Sequence, residues 1–277
     1  MSNKAKIRED AMSLNPIDDA LFQKMAENVD FCQEILQVIL DDKNLEVLDV
    51  CPQFTAKNLQ GRSCMLDAKC QLGDGKIVNI EVQKANDDDH QRRVRYNGAL
   101  LTTNITNPGI RFLKVPDVIV VFISRFDIFK AGRSLYHVDR IIRETGKIVD
   151  NGFGELYVNA EAEDDSDVSE LMDIFVNDSK YDDIKFPATS AYKRIYKTTE
   201  EGVSEMCEII ERNRAEARAE GRAEGRAEGR AEGKAEGKAE GKIQAIKDAI
   251  KAGLTTFEAV KTSGLYTEKE LAVIAAV

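Results

Sequence analysis

Two acidic residues, Asp67 and Glu81, lie on either side of a Gly-Asp-Gly sequence in a segment that alternates polar and apolar residues. If residues 73–75 form a three-residue hairpin loop, with a glycine in the left-handed conformation, Asp67 lies directly opposite Glu81. Opposed residues of an antiparallel pair share a face of the sheet, with Cβ atoms about 5 Å apart. A two-residue Asp-Gly turn would instead shift the register by one residue and place Asp67 opposite Val82.

In the first register, strand alternation divides the hairpin into two faces of different chemistry. The polar face would consist of Asp67, Lys69, Gln71, Asn79, Glu81 and Gln83. The apolar face would consist of Leu66, Ala68, Cys70, Leu72, Val78, Ile80 and Val82. This division predicts that one face joins a hydrophobic core and that the other gathers carboxylates, amides and an amine.

Two carboxylates held this close repel each other unless a cation lies between them. A small number of hard oxygen ligands, with room left for water and phosphate, suits Mg²⁺ or the similar Mn²⁺. A divalent ion bound there could polarise a phosphodiester and activate a water molecule for attack. The alternative is an ordinary hairpin with a solvated polar face, because Asp and Glu are common on exposed strands.

Asp67, the hairpin and the following Glu81-Val82-Gln83 resemble the PD-(D/E)XK nuclease pattern, in the variant where glutamine replaces the usual lysine. Two other segments are similar to helical motifs of the PD-(D/E)XK family transposases, which are also called recombination-promoting nucleases. These segments are Asp19-Ala-Leu-Phe22-Gln-Lys and Asp89-His-Gln-Arg92-Arg93-Val-Arg95-Tyr96. The C-terminal Ala-Glu-Gly-Arg/Lys run is also typical of the family, so the resemblance covers residues 15–240.

The resemblance implies a restriction-endonuclease-like fold and a metal-dependent DNA endonuclease that acts in transposition or recombination. Asp67 and Glu81 would bind Mg²⁺ or Mn²⁺, and Gln83 would position the attacking water. Asp19 would complete the site as a third acid. An early Asp in a helix also commonly caps the helix N-terminus, so both roles stay open for Asp19.

Gln83 is a departure from the wider superfamily, in which a lysine at that position supports the nucleophile or the charge of the transition state. Glutamine can orient a water molecule but brings no positive charge. Lys84 is adjacent, yet alternation points it to the opposite face. Lys69 shares the face of Asp67 and could act as a displaced substitute. The missing lysine leaves a second hypothesis, a catalytically weak or inactive module that binds DNA or protein and assembles through its C-terminal tail.

The formal net charge of −10 is unevenly distributed along the chain. Residues 215–242 hold seven Glu and seven Arg or Lys, and residues 243–277 hold four acids and four lysines. All of the net negative charge therefore lies in residues 1–214. A nuclease domain of this charge must bind DNA through a local basic patch rather than through its overall field.

The best candidate for that patch is the group of Arg92, Arg93 and Arg95 beside Tyr96. In a helix, Arg92, Arg95 and Tyr96 share a face by i,i+3 and i,i+4 spacing. The family motif favours DNA binding by Arg92, Arg93 and Tyr96. The alternative is a solvated helix face that neutralises the acidic cluster at residues 87–89.

Composition narrows the class of protein. No apolar run approaches the ~20 residues of a transmembrane helix, and the first ten residues lack the apolar core of a secretory signal. The five cysteines form no Cys-x-x-Cys motif and are predicted to be reduced and buried. With two histidines, a zinc site is not expected. We therefore expect a cytoplasmic protein with no membrane partner.

Apolar periodicity predicts alternating helices and strands. A helical region opens at Pro16 and ends near Asp42. Further helices are predicted over His90–Thr103, 167–177 and 188–213, and strands over Leu45–Phe54, Val118–Ile123, Tyr136–Ile142, Lys147–Val149 and Leu156–Val158. The strands Tyr136–Ile142 and Lys147–Val149 are predicted to form a hairpin with each other. The whole predicts a three-layer α/β sandwich with a mixed sheet and a helical C-terminal tail.

The sequence predicts three parts: a nuclease-like domain over residues 1–200, a spacer over 201–242 and a small helical segment over 243–277. The spacer contains seven consecutive tetrapeptides, whose residue types drift about 40° per repeat around a helix. It has six glycines and no apolar stripe, so it is not an ordinary heptad coiled coil. We interpret it as a helix-prone polar spacer, with a basic stripe that slides along DNA as the alternative. The last segment is expected to dock on a partner or to form a homo-oligomer.

Overall fold

The computed structural model describes residues 3–86 and 89–276. In chain order its first elements are α1 (Asn3–Ser13), α2 (Asp19–Met25), α3 (Val29–Ile39), β1 (Val47–Ala56), β2 (Cys64–Leu72), β3 (Ile77–Gln83) and α4 (His90–Ile105). A short 3₁₀ helix (Phe112–Lys114) then precedes β4 (Val118–Ser124), β5 (Leu135–Val138), β6 (Ile141–Ile142), β7 (Lys147–Ile148) and β8 (Phe153–Asn159). The chain continues with α5 (Asp167–Val176), α6 (Pro187–Thr198), α7 (Glu200–Lys251), α8 (Phe257–Thr262) and α9 (Glu268–Ala275).

Six strands form a mixed sheet in the order β1-β2-β3-β4-β8-β5. The central strands β3, β4 and β8 are parallel, and the outer pairs are antiparallel. The predicted mixed α/β fold with a helical tail is therefore confirmed. The predicted hairpin of Tyr136–Ile142 with Lys147–Val149 is only partly present, because the chain leaves the sheet after Val138. β5 pairs with β8, and only β6 pairs with β7.

The hairpin between β2 and β3 has the register expected from a three-residue loop. The amide of Leu72 donates to the Lys76 carbonyl over 2.9 Å, and Gly75 adopts a positive φ of 90° that glycine accommodates without strain. The paired residues run from Gln71 opposite Ile77 to Ala68 opposite Ile80. Continued by one position, this register would place Asp67 opposite Glu81, and the register of a two-residue turn is excluded.

Strand alternation breaks at Asp67. Ala68, Cys70 and Leu72 pack in the core cluster on one side of the sheet, but Leu66 packs in the cluster on the other side. The expectation that Leu66 shares the face of Ala68 is therefore wrong. The neighbouring β1 changes direction at the same level, where Gln53 adopts a left-handed φ of 51°. The two strands bend together, and Asp67 lies at the bend.

Helices cover both faces of the sheet. The larger cluster joins the β2–β3 apolar face to residues of α1, α2, α3, α5, α6 and the start of α7. The smaller cluster joins the opposite face to α4 through Val94 and Leu101. α4 approaches the sheet closely at Gly98, because a Cβ at that position would collide with the Phe153 ring and lie 3.2 Å from Cγ2 of Val120. The distance of α4 from the sheet is thus set by a glycine.

The described chain forms two compact units, residues up to 211 and residues from 212. The first eleven residues of the predicted spacer, 201–211, belong to the first unit. Val203 and Met206 of α7 are fully buried there, and Ile210 is nearly so, because apolar residues recur at helical spacing. The boundary predicted at residue 200 therefore lies too early in the chain.

The second unit contains the rest of α7 with α8 and α9. The repeat is helical throughout, and its residues are exposed. Thr267 and Glu270 form a capping box at the start of α9. Lys242 Nζ donates to the Leu265 carbonyl over 2.9 Å and lies 4.1 Å from the centre of the Tyr266 ring. None of the helices in the described parts of the chain is long and apolar enough to cross a membrane.

Candidate active site

Glu81 is the most buried acid of the polar face, with 1% of its surface exposed. Three side chains donate to its carboxylate. Asn79 of the same strand and Asn97 of α4 donate to Oε1 over 2.8 and 3.2 Å, and Arg93 of α4 contacts Oε2 at 3.5 Å. A carboxylate at this depth requires such donors, because a buried charge without partners is strongly disfavoured.

Asp67 is held differently, at the bend of β2. Its Oδ2 accepts a hydrogen bond of 2.9 Å from the backbone amide of Val82. The β2–β3 pairing ends at Ala68 and Ile80, so the Asp67 side chain continues the contact to β3 beyond the last backbone pair. Asp67 is only partly buried, which leaves it accessible from solvent, unlike Glu81.

The two carboxyls are electrostatically frustrated. Burial, followed by repulsion from Glu81, raises the pKa of Asp67 to about 8, although the Val82 amide opposes the shift. Burial also raises the pKa of Glu81, against the opposing effect of Asn79, Arg93 and Asn97. The site therefore disfavours two negative charges unless more positive charge enters it.

Asp19 adds to this negative potential, although it does not have the capping role that was the alternative for it. Asp18, and not Asp19, occupies the N-cap position of α2, so Asp19 does not cap the helix. Desolvation raises the pKa of Asp19, which interacts electrostatically with Arg93, and Asp19 in turn raises the pKa of Asp67. Within the described chain, no three His, Cys, Asp or Glu side chains are grouped so that they could hold a metal ion. Asp19 is thus a charged neighbour of the pair, and its role as a third ligand stays a prediction.

Gln83 is engaged by its surroundings. Its Nε2 donates to the Ala85 carbonyl over 3.0 Å, and its Oε1 accepts a bond of 2.7 Å from Arg93 Nη1. Lys69 lies over the Phe54 ring, with Nζ 4.7 Å from the ring centre. Lys84 forms a 2.5 Å ion pair with Asp18. Arg93 thus brings the positive charge that contacts both Glu81 and the glutamine at the usual lysine position.

The other two predicted DNA-binding residues of α4 point elsewhere. Arg92 forms an exposed ion pair with Asp89 at 3.2 Å, as the alternative interpretation expected, whereas residues 87 and 88 lie outside the described chain. Tyr96 donates its hydroxyl to the Arg62 carbonyl and accepts a 3.1 Å bond from Asn58 Nδ2. DNA binding by Arg92, Arg93 and Tyr96 remains a prediction.

Asn97 is the site residue that sequence reasoning missed. It continues the inward-facing stripe of α4 between Val94 and Leu101 and is 4% exposed. A polar residue in a buried helical stripe needs a hydrogen-bond partner, and that pattern could have revealed it. Its spacing of four residues from Arg93 brings both side chains to Glu81.

The residues present fit a divalent metal ion. Asp67 and Glu81 would supply hard oxygen ligands from adjacent strands. Their pKa values are raised, which indicates that the positive groups around them do not fully compensate two negative charges. The Oδ1 of Asn79, beside Glu81, is buried and has no hydrogen-bond partner among the described residues. Arg93 contacts Glu81, and Asp67 is only partly buried.

Comparison with known families gives one result. The family model described as PD-(D/E)XK nuclease family transposase matches residues 19–177, more than half of the chain. The matched region contains Asp19, the β2–β3 hairpin and the whole of α4. No curated protein and no solved structure matches the chain.

Proposed function

We propose, from the premise that this chain belongs to the PD-(D/E)XK nuclease family transposases, that it is a metal-dependent DNA endonuclease acting in transposition or recombination. The observation that supports the proposal is the pair of carboxyls on adjacent strands, Asp67 and Glu81, which repel each other electrostatically while the guanidinium of Arg93 contacts Glu81. Family membership supports a nuclease in general. The metal dependence and the endonucleolytic mode are our inference from the two carboxylates.

Asp67 and Glu81 would hold Mg²⁺ or Mn²⁺, which supplies Lewis-acid polarisation of a phosphodiester and a water of lowered pKa. Asn79 and Asn97 orient Glu81 by donating to Oε1 and favour its ionised form, against the effect of burial. The Val82 amide does the same for Asp67. These three contacts would fix ligand directions before any substrate arrives, which is what a preorganised site requires.

Arg93 would take over part of the role of the absent lysine. Its guanidinium contacts Glu81 and Gln83 while remaining 44% exposed, so it can also reach a phosphate oxygen of bound DNA. Gln83, whose carbonyl oxygen holds Arg93, positions that charge. To orient a water molecule, Gln83 would have to exchange one of its present hydrogen bonds.

The decisive experiment is cleavage of supercoiled plasmid with Mg²⁺ or Mn²⁺ by the parent and by Asp67→Ala. We expect the parent to nick or linearise the plasmid and the variant to lose at least about a thousandfold in rate, as removal of a central catalytic group does. Glu228→Ala, in the exposed repeat, is the matched control and should cleave like the parent. A parent that binds DNA without cleaving it would instead support the non-catalytic module. Equal cleavage by Asp67→Ala would overturn the site.

A further inference from the structure

The loop between β1 and β2, residues 57–63, presents an apolar side chain between two cations. Leu59 is 98% exposed, and Lys57 and Arg62 are exposed on either side of it. A single exposed leucine is ordinary on a protein surface. Here its neighbours and its attachment to the rest of the protein make it unusual.

The loop is fastened to α4 by both of its ends. The amide of Lys57 donates to Asn104 Oδ1 and its carbonyl accepts from Asn104 Nδ2, each over 3.0 Å. At the other end, Tyr96 donates to the Arg62 carbonyl. α4 also carries Arg93 and Asn97 to Glu81, so the same helix contacts both the loop and one of the two proposed ligands.

The loop and α4 form the acid-free part of an acidic chain. Residues 50–66 and 90–116 contain no Asp or Glu. They carry two and five cations respectively, Lys57, Arg62, Arg92, Arg93, Arg95, Arg111 and Lys114, whereas the whole chain has a net charge of −10. Arg92 and Arg93 pair with Asp89 and Glu81, and the other five cations are exposed. A local excess of positive charge of this kind is typical of a surface that binds a phosphate backbone.

We propose that the loop of residues 57–63 is a DNA-docking loop, a second contact to the duplex beside the catalytic pair. Lys57 and Arg62 contact phosphates, and Leu59 packs its side chain into the minor groove as an apolar wedge. Tyr96 anchors the loop rather than touching the substrate. The proposal rests on the proposed function for its ligand. The surrounding cations favour DNA over a protein as the partner of this loop. If the loop bound a protein instead, substitutions of Lys57, Leu59 and Arg62 would leave the affinity for DNA unchanged.

Binding of a fluorescein-labelled duplex, followed by anisotropy in EDTA over a range of salt concentrations, separates the two kinds of contact. The slope of log K against log salt is negative, and Lys57→Gln combined with Arg62→Gln should reduce its magnitude by about 1.8, or about 0.9 per lost phosphate contact. The matched control, Lys4→Gln combined with Lys6→Gln on the exposed face of α1, should leave the slope unchanged.

Leu59→Ala tests the wedge. Loss of a leucine that is buried against DNA should weaken binding roughly tenfold without changing the salt slope. Leu59→Met should restore most of the affinity, and Ile184→Ala, at a position 95% exposed elsewhere on the surface, should bind like the parent. Thermal melting of each variant should match the parent, because these side chains are exposed.

The outcomes distinguish this inference from the proposed function. If the parent binds and cleaves DNA but both loop variants bind as tightly as the parent, the docking loop is refuted and the endonuclease stands. If the cation variant changes the slope while Leu59→Ala has no effect, the wedge is refuted. If the parent neither binds nor cleaves DNA, both proposals fail together.

Discussion

Glutamates occupy two opposite environments in this protein. Glu81 is 1% exposed, with three donors arranged around it, whereas the glutamates of the repeat from Glu216 to Glu240 are exposed along one helix. In the repeat, the charged side chains are solvated, and the helix has no apolar face to bury. At Glu81, charge opposes folding and is retained because the surroundings are built to hold it. The comparison leads us to expect the functional residues where a buried charge lowers the stability of the fold, and each prediction below tests that expectation.

Among the tests of this comparison, the largest effect is expected at Arg93. Arg93→Gln should lower the cleavage rate about a hundredfold, because it removes the cation that contacts both Glu81 and Gln83. Arg93→Lys should retain part of the activity. The matched control is Arg194→Gln, since Arg194 is also 44% exposed but pairs with the exposed Asp183. The measurement is the rate of plasmid cleavage. Equal losses of rate in the two variants would show that pairing with the buried Glu81 gives Arg93 no special role.

The next effect is a pH dependence of stability. The folded pKa of Asp67, about 8, lies above its ordinary value, so the folded state binds a proton that the unfolded state has released. Stability without metal should therefore fall as the pH rises from about 4 to about 8. Asp67→Asn should be the more stable protein at pH 8, by on the order of 2 kcal/mol, and the gain should shrink towards pH 4. Melting curves of Glu228→Gln should follow the parent at every pH.

That prediction has a clear failure. Parallel pH profiles for the parent and Asp67→Asn would show that Asp67 is ionised in the folded protein without cost. The comparison between the two environments would then rest on Glu81 alone.

A smaller effect is expected from the metal. At ten times its dissociation constant, Mg²⁺ or Mn²⁺ should stabilise the parent by about 1.4 kcal/mol, or about 3–5 °C in melting temperature. Glu81→Gln removes one ligand charge and should abolish the shift in scanning calorimetry. Titration calorimetry that shows equal binding by the parent and this variant would contradict the assignment of Glu81 as a ligand.

The smallest effect concerns the repeat. Deletion of residues 215–277 should leave the melting transition of the first unit unchanged, because the deleted repeat has no apolar surface. Deletion from residue 201 should destabilise it strongly, since it removes the buried Val203 and Met206. Size-exclusion chromatography of the shorter protein tests whether the tail supports the expected homo-oligomer. A lowered melting temperature after deletion of residues 215–277 would show that the tail stabilises the first unit.

Local signals were sufficient to predict the hairpin. Turn chemistry and period-2 alternation left two registers open, and the structure has the one expected from a three-residue loop, with Gly75 at positive φ and Ala68 opposite Ile80. The bend at Asp67 could not be predicted, because it depends on a left-handed Gln53 in the neighbouring strand. A non-glycine residue in that conformation leaves no mark in the sequence.

Long-range packing explains the other differences. The rotation of α4, which turns Arg93 and not Arg92 toward Glu81, depends on how the helix rests on β4 and β8. The end of the first unit was placed too early because composition, rather than the stripe of Val203, Met206 and Ile210, guided the boundary. The roles of Asp19 and Gln83 depend on metal and substrate and stay predictions.

The close approach of α4 at Gly98 has a consequence for variation among related chains. Residue 98 carries no chemistry, yet any larger side chain there would press on the Phe153 ring and lift the helix from the sheet. Asn97 and Arg93 would move with it, away from Glu81. Residues 98 and 153 are therefore expected to change size together, a glycine against a phenylalanine or a larger residue against a smaller one. A relative that keeps Asp67, Glu81 and Arg93 but enlarges residue 98 alone would carry a complete set of catalytic residues that do not meet.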